Sequence, residues 1–133
     1  MTLRFVFPMP ANIANARMHW RVKLNAKQAF YAECDQRQLL GQLPAPPPKP
    51  FQVSTAKVTM HLGSEMDNDN AGHRCKWVWD WLKTRGYIVD DKRKNLKQAG
   101  YPEQRVKRDK NYRIEVTLTE LPYITEKSAL ATR

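Results

Sequence analysis

The chain has 133 residues, enough for one domain with a core of its own, and 41% of them are apolar, an ordinary share for a globular protein. Lysine and arginine number 23 against 13 aspartates and glutamates, a formal net charge of +10, so the expected partner is a polyanion and nucleic acid is the first candidate. No apolar run approaches the ~20 residues that span a bilayer, and neither terminus carries a long basic amphipathic helix that would seek a membrane surface.

The opening MTLRFVFPMP holds too short an apolar run for a signal peptide, and a cytoplasmic protein is expected. Cys34 and Cys75 are the only cysteines, and in a chain of this size they are expected as free thiols. Residues 3–7 alternate as a strand that Pro8 and Pro10 stop. A polar loop, NIANARMHWR, follows. Residues 24–40 contain good helix formers and neither glycine nor proline. Ala29, Phe30, Cys34, Leu39 and Leu40 would form the apolar stripe of this helix, and Gly41 suits its end. LPAPPPKPF reads as a stiff extended connector.

Residues 51–62 form a second strand, in which Val53, Ala56, Val58, Met60 and Leu62 mostly alternate with polar residues. Residues 71–85 form a second helix, with Trp77, Val78, Trp81 and Leu82 on one face and Gly86 placed to stop it. Trp79 falls off that stripe, at a position suited to core or to a dimer interface. Residues 92–110 are basic and irregular, and YRIEVTLTEL is the last strand. The expected fold is α/β (α+β): a single domain over residues 1–121, a mixed sheet with two main helices packed on it, and a flexible tail over 122–133.

Five of the seven aspartates lie between positions 67 and 91, in a chain that is otherwise basic. DNDNAG begins like a calcium loop, but Ala71 and Val78 stand where further ligands are required, so an EF-hand is excluded. His73 and Cys75 lack the second ligand pair of a structural zinc site. A magnesium-type site fits better, because Mg²⁺ takes one or two carboxylates together with waters and substrate phosphates. Asp67 and Asp69 converge if the loop stays extended, and Asp91 joins them if the chain reverses after the second helix. Lys76 and Asp80 fall seven and eleven residues after Asp69, close to one helical face. The same spacing also fits a plain surface pair between Lys76 and Asp80.

DNDN, Lys76, Asp80, Trp81–Leu82, Gly86 and the VDD at 89–91 together resemble the RusA family of Holliday junction resolvases. That family's pattern is D-x-D-N, a lysine, D-x-L four residues later, a glycine and a D-D pair. From the lysine to the D-D pair the spacing matches without a gap. PMPANIAN, with Asn15, resembles the family's proline-rich loop, and RIEVTLTE its closing strand, so the resemblance covers most of residues 3–121. In the family the lysine follows the second aspartate by four residues. Here it follows Asp69 by seven, an apparent insertion of three at residues 71–73 that moves it one helical turn.

The resemblance implies Asp67, Asp69 and Asp91 as metal-binding catalytic carboxylates and Lys76 as a catalytic helper, with Asn70, Asp80 and Asp90 placed to support them. It further implies Mg²⁺, with Mn²⁺ able to substitute, and a homodimer acting on branched DNA in a bacterial or phage-infected cell. Asn15, Arg17, Arg21, Lys92, Arg93, Lys94 and Lys97 are then the expected DNA contacts. The expected activity is metal-dependent hydrolysis of phosphodiesters in four-way junctions. Two rivals stand beside it: a non-catalytic DNA-binding protein of the same fold, and a nuclease for other branched DNA.

Overall fold

The computed structural model describes residues 1–10, 20–98, 100–107 and 111–122. Asn15, Arg17 and the tail beyond Pro122 lie outside these residues. In chain order the elements are β1 (Thr2–Pro8), α1 (Trp20–Leu39), β2 (Ser54–Leu62), α2 (Asn68–Arg74), α3 (Lys76–Thr84), β3 (Leu96–Gln98), β4 (Glu103–Val106) and β5 (Arg113–Glu120). The result is a small α+β domain with a mixed five-stranded sheet. Among the described residues no helix is long and apolar enough to cross a membrane.

The three long strands follow from their alternation. β5 lies between β1 and β2 and is antiparallel to both. The register sets Phe5 opposite Val116 and Val116 opposite Val58, and it does the same for Phe7, Ile114 and Met60. These residues are buried, so one sheet face is a continuous apolar floor. The helices cover it: Phe7 meets Trp81 edge-on at 5.7 Å and Phe30 at 6.5 Å, and Phe5 meets Tyr87 at 5.2 Å.

The basic stretch at 92–110 is not irregular throughout. β3 and β4 pair in series along the other edge of β2, both parallel to it, at Ser54–Ala56 and at Thr59–Leu62. The segment from β2 through the helices to β3 is therefore a parallel crossover, as the helix layer on one face requires.

The predicted helices need three corrections. The first begins earlier, at Trp20, and its buried face is Phe30 and Cys34. Ala29, Leu39 and Leu40 point outward and contribute nothing to the core. The second predicted helix is two helices. Asn68, Asp69, Asn70 and Gly72 are weak helix formers, and the Cys75 N–H turns back to the carbonyls of Gly72 and His73 in a tight final turn. α3 then starts afresh at Lys76. Both long helices end on a left-handed glycine, Gly41 at φ 74° and Gly86 at φ 85°. Trp79 belongs to the core with Trp77 and Trp81, and no tryptophan of α3 is left for an interface.

α1 and α3 are tied together by polar contacts. Asp35 accepts hydrogen bonds from Trp81 Nε1 at 2.9 Å and from Arg85 Nε and Nη2 at 2.8 and 2.9 Å. The Arg85 hydrogen bond, against the opposing pull of burial and with help from Trp81, holds the Asp35 carboxyl below the usual carboxylate range. Its contribution is therefore complete above the unfolded-state value of ~3.9 and is lost as pH falls through the lower folded-state value. Asp35→Ala is expected to cost about 1 kcal/mol at neutral pH, the lower end for a charged hydrogen bond because water reaches the pair. The difference from the parent should shrink below pH 4, as read by urea unfolding midpoints.

Candidate metal and nucleic-acid site

Asp67 and Asp69 sit where β2 hands over to α2. Asp67 is the N-cap of α2 in extended conformation. Its Oδ1 accepts from the Asn70 backbone N–H at 2.8 Å and its Oδ2 from Asn70 Nδ2 at 3.1 Å. Asn70 thus orients the Asp67 carboxylate, as its expected supporting role requires. Asp69 follows in the first turn, exposed, where a negative charge suits the positive end of the helix. The loop before them is pinned by Gln104 of β4, which bonds the Met66 N–H and carbonyl at 2.9 and 2.8 Å.

Asp69 lines a cleft of about 440 Å³ together with Asn68, Gly72, His73, Gln98, Tyr101 and Pro102. Asp91 lines a second cleft, of about 600 Å³, with Arg93, Leu96, Lys97 and Gln98. Gln98, the last residue of β3, belongs to both. The pairing of β3 with β2 fixes Gln98, and through it the two clefts adjoin. Burial works to raise the neighbouring Asp90 carboxyl, but hydrogen bonds from Asp91 and Lys83 outweigh it and hold it below its usual range. Lys83 lies 3.4 Å and Lys92 3.8 Å from the Asp90 carboxylate.

The other candidates separate. Lys76 is exposed at the first position of α3, and the break at Cys75 removes the continuous helical face that related it to Asp69. Asp80 pairs with Lys27 of α1 at 3.3 Å. Arg21 lies over the Trp20 ring at 5.2 Å, at the start of α1. Lys92, Arg93, Lys94 and Lys97 are exposed and form one basic stretch from the Asp91 turn into β3.

The donor chemistry fits a hard cation, since these are carboxylate oxygens and Mg²⁺ needs only one or two of them. Among the described residues, however, no three of His, Cys, Asp or Glu gather closely enough to hold a metal ion. A soft-metal alternative at His73 and Cys75 is disfavoured by placement. His73 is exposed, whereas Cys75 is buried, which pushes its thiol up to about 12. Sequence reading missed Gln98 and Tyr101. The signal for Tyr101 was an aromatic ring set between Gly100 and Pro102, and it is an exposed wall of the Asp69 cleft. Gln98 carried no comparable signal, because only its strand pairing gives it a role. No protein-family model matches the sequence, and no curated protein does so either.

Proposed function

We propose that the protein is a Mg²⁺-dependent endonuclease of RusA type that resolves four-way DNA junctions as a homodimer, with Mn²⁺ able to replace Mg²⁺. The observation that carries this reading is the pair of clefts sharing Gln98: carboxylates of Asp69 and Asp91 stand in them, with Arg93 and Lys97 alongside. Acidic groups in a +10 chain are costly near a phosphate backbone unless they hold a cation that the phosphate shares. The metal, when bound, supplies an activated water and stabilises developing charge. Asp67, held by Asn70, and Asp69 offer carboxylates at the start of α2 and Asp91 offers one in the adjoining cleft, any one or two of which suffice for Mg²⁺, and Lys92, Arg93, Lys94 and Lys97 offer the phosphate contacts. Lys76 stands as a helper at the head of α3.

The second reading, a DNA-binding protein without catalysis, draws on the break at Cys75 and on the separation of the carboxylates. One experiment divides the readings: incubation with Mg²⁺ or Mn²⁺ and a synthetic four-way junction beside a linear duplex. Paired, symmetric nicks in the junction alone support the resolvase. Equal cutting of other branched forms supports the wider nuclease, and binding without cutting supports the binder. Light scattering of the same sample should give about 31 kDa, twice the 15.5 kDa chain. A monomer at micromolar concentration would count against concerted resolution, because one site cannot cut two strands together.

A further inference from the structure

Arg74 is the last residue of α2. Its Nε donates to the Pro10 carbonyl at 2.9 Å, which fixes the plane of the guanidinium. The side chain is half-buried, and burial pushes its pKa down from the ordinary value. Among the described residues no carboxylate pairs with it, although Asp and Glu partners are found for Lys27, Arg37, Lys83, Arg85, Lys92, Arg105 and Arg113. The Pro10 carbonyl takes one of the five guanidinium N–H donors, and a partly desolvated cation gains most from an anion at the others.

The space in front of Arg74 has the chemistry of such a partner's site. It is a cleft of about 410 Å³ between the end of β2 and the start of β5, with Gly63, Ser64 and Tyr112 beside Arg74 and with Met9, Leu62 and Met66 as apolar wall. The Tyr112 hydroxyl lies so close over Gly63 that any side chain there would overlap it. The glycine therefore allows the ring to form one wall. Two hydroxyls, which can each donate, and a guanidinium stand around this space with no carboxylate in its lining, and a planar guanidinium is suited to a phosphoryl group rather than to a single oxygen.

We propose that the cleft of Arg74, Ser64 and Tyr112 is a phosphoryl-anion site that seats one backbone phosphate of bound DNA, apart from the carboxylate clefts. The DNA source rests on the nucleic-acid reading above, whereas the anion site itself does not. Arg74 supplies the charge and the fork, and the hydroxyls of Ser64 and Tyr112 complete the oxygen shell. The cleft shares no lining residue with the Asp69 cleft, so the phosphate so held orients the duplex arm without taking part in chemistry.

The test has two arms. In the first, inorganic phosphate is titrated into the full chain and followed by amide NMR. Saturable shifts at Gly63, Ser64 and the Arg74 side chain are expected, absent in Arg74→Gln and weakened in Arg74→Lys, which keeps charge but loses the fork. No shifts in the parent, or the same shifts in Arg74→Gln, would overturn the site. In the second arm, junction affinity is measured against salt concentration. Arg74→Gln should lower affinity severalfold and reduce the slope of log affinity against log salt by about 0.9, the value for one phosphate. If phosphate binds through Arg74 but the junction slope is unchanged, the backbone-phosphate assignment is wrong and the ligand is a free phosphate. If the parent binds no DNA, the nucleic-acid reading fails while the first arm still decides the anion site. Should Arg74→Gln fail to fold, Ser64→Ala, which leaves the Pro10 contact and the Arg74 charge in place, should weaken the phosphate shifts with the salt slope unchanged, and phosphate shifts equal to the parent's would overturn the site.

Discussion

Asp67→Asn, Asp69→Asn and Asp91→Asn are each expected to lower junction cleavage by orders of magnitude while leaving the fold and DNA binding in place. The substitution keeps the shape of the side chain and removes the charge that a cation needs, so the activated water and the charge stabilisation are lost together. Binding in EDTA should hold or tighten, because a carboxylate that repels phosphate is gone. The structure adds a control for Asp67. Its Oδ1 caps α2 through the Asn70 N–H, and asparagine caps a helix as well as aspartate does, so Asp67→Asn should unfold at the parental denaturant midpoint. Asp67→Ala loses the cap and should cost about 1 kcal/mol. A loss of cleavage in Asp67→Asn at unchanged stability thus reports the charge, not the helix start. Asp109→Asn, away from the acidic cluster in sequence, should cut like the parent. Cluster variants that cut as fast as the parent would refute the metal-site assignment.

Binding itself should weaken steeply with salt. If about six phosphates are neutralised, affinity for a junction falls ~10³-fold between 50 and 200 mM salt, through release of condensed counterions. The basic stretch of Lys92, Arg93, Lys94 and Lys97 leads from the Asp91 turn into β3, so these residues are expected to account for much of the slope. The interaction should survive removal of divalent metal, at least in part. Gel shifts across a salt series check this, and affinity that ignores salt would mean that the basic surface is not where DNA binds.

How far the sequence reveals this protein depends on which interactions decide each element. β1, β2 and β5 were legible because one face of each is buried: Val58 and Met60, and Ile114 and Val116, alternate with polar residues, and Phe5 and Phe7 alternate with the exposed Val6. β3 and β4 were not, because three or four mostly exposed residues carry no period. What makes them strands is the free edge of β2, a partner distant in sequence. The stripe of Trp77, Val78, Trp81 and Leu82 marked α3 well. The same stripe hid the break at Cys75, since Ala71 alone precedes it as a buried apolar residue, too little to show that α2 has its own axis. Leu39 and Leu40 misled in the opposite sense, as large apolar residues left at the exposed end of a capped helix. At the candidate site, the role of Asp67 as a cap was latent in an aspartate that opens a polar run before an apolar one. Arg74 looked like any other cation until its burial and its missing carboxylate partner were on view.

The two cysteines, set deep in the core for packing reasons, give the protein a built-in reporter. Burial lifts both thiols to about 12, so at neutral pH both stay protonated and unreactive. A disulfide reagent can therefore label either sulfur only when its surroundings open. Cys34 sits on the buried face of α1, and Cys75 joins the end of α2 to the start of α3, the opposite end of α2 from Asp67 and Asp69. Labelling at Cys34 times the detachment of the long helix, and labelling at Cys75 times the opening of the α2–α3 joint behind the aspartate loop. With single-cysteine variants, the rate at which a bound junction or a divalent cation slows each reaction would separate rigidity gained at the carboxylate loop from rigidity gained by the whole domain.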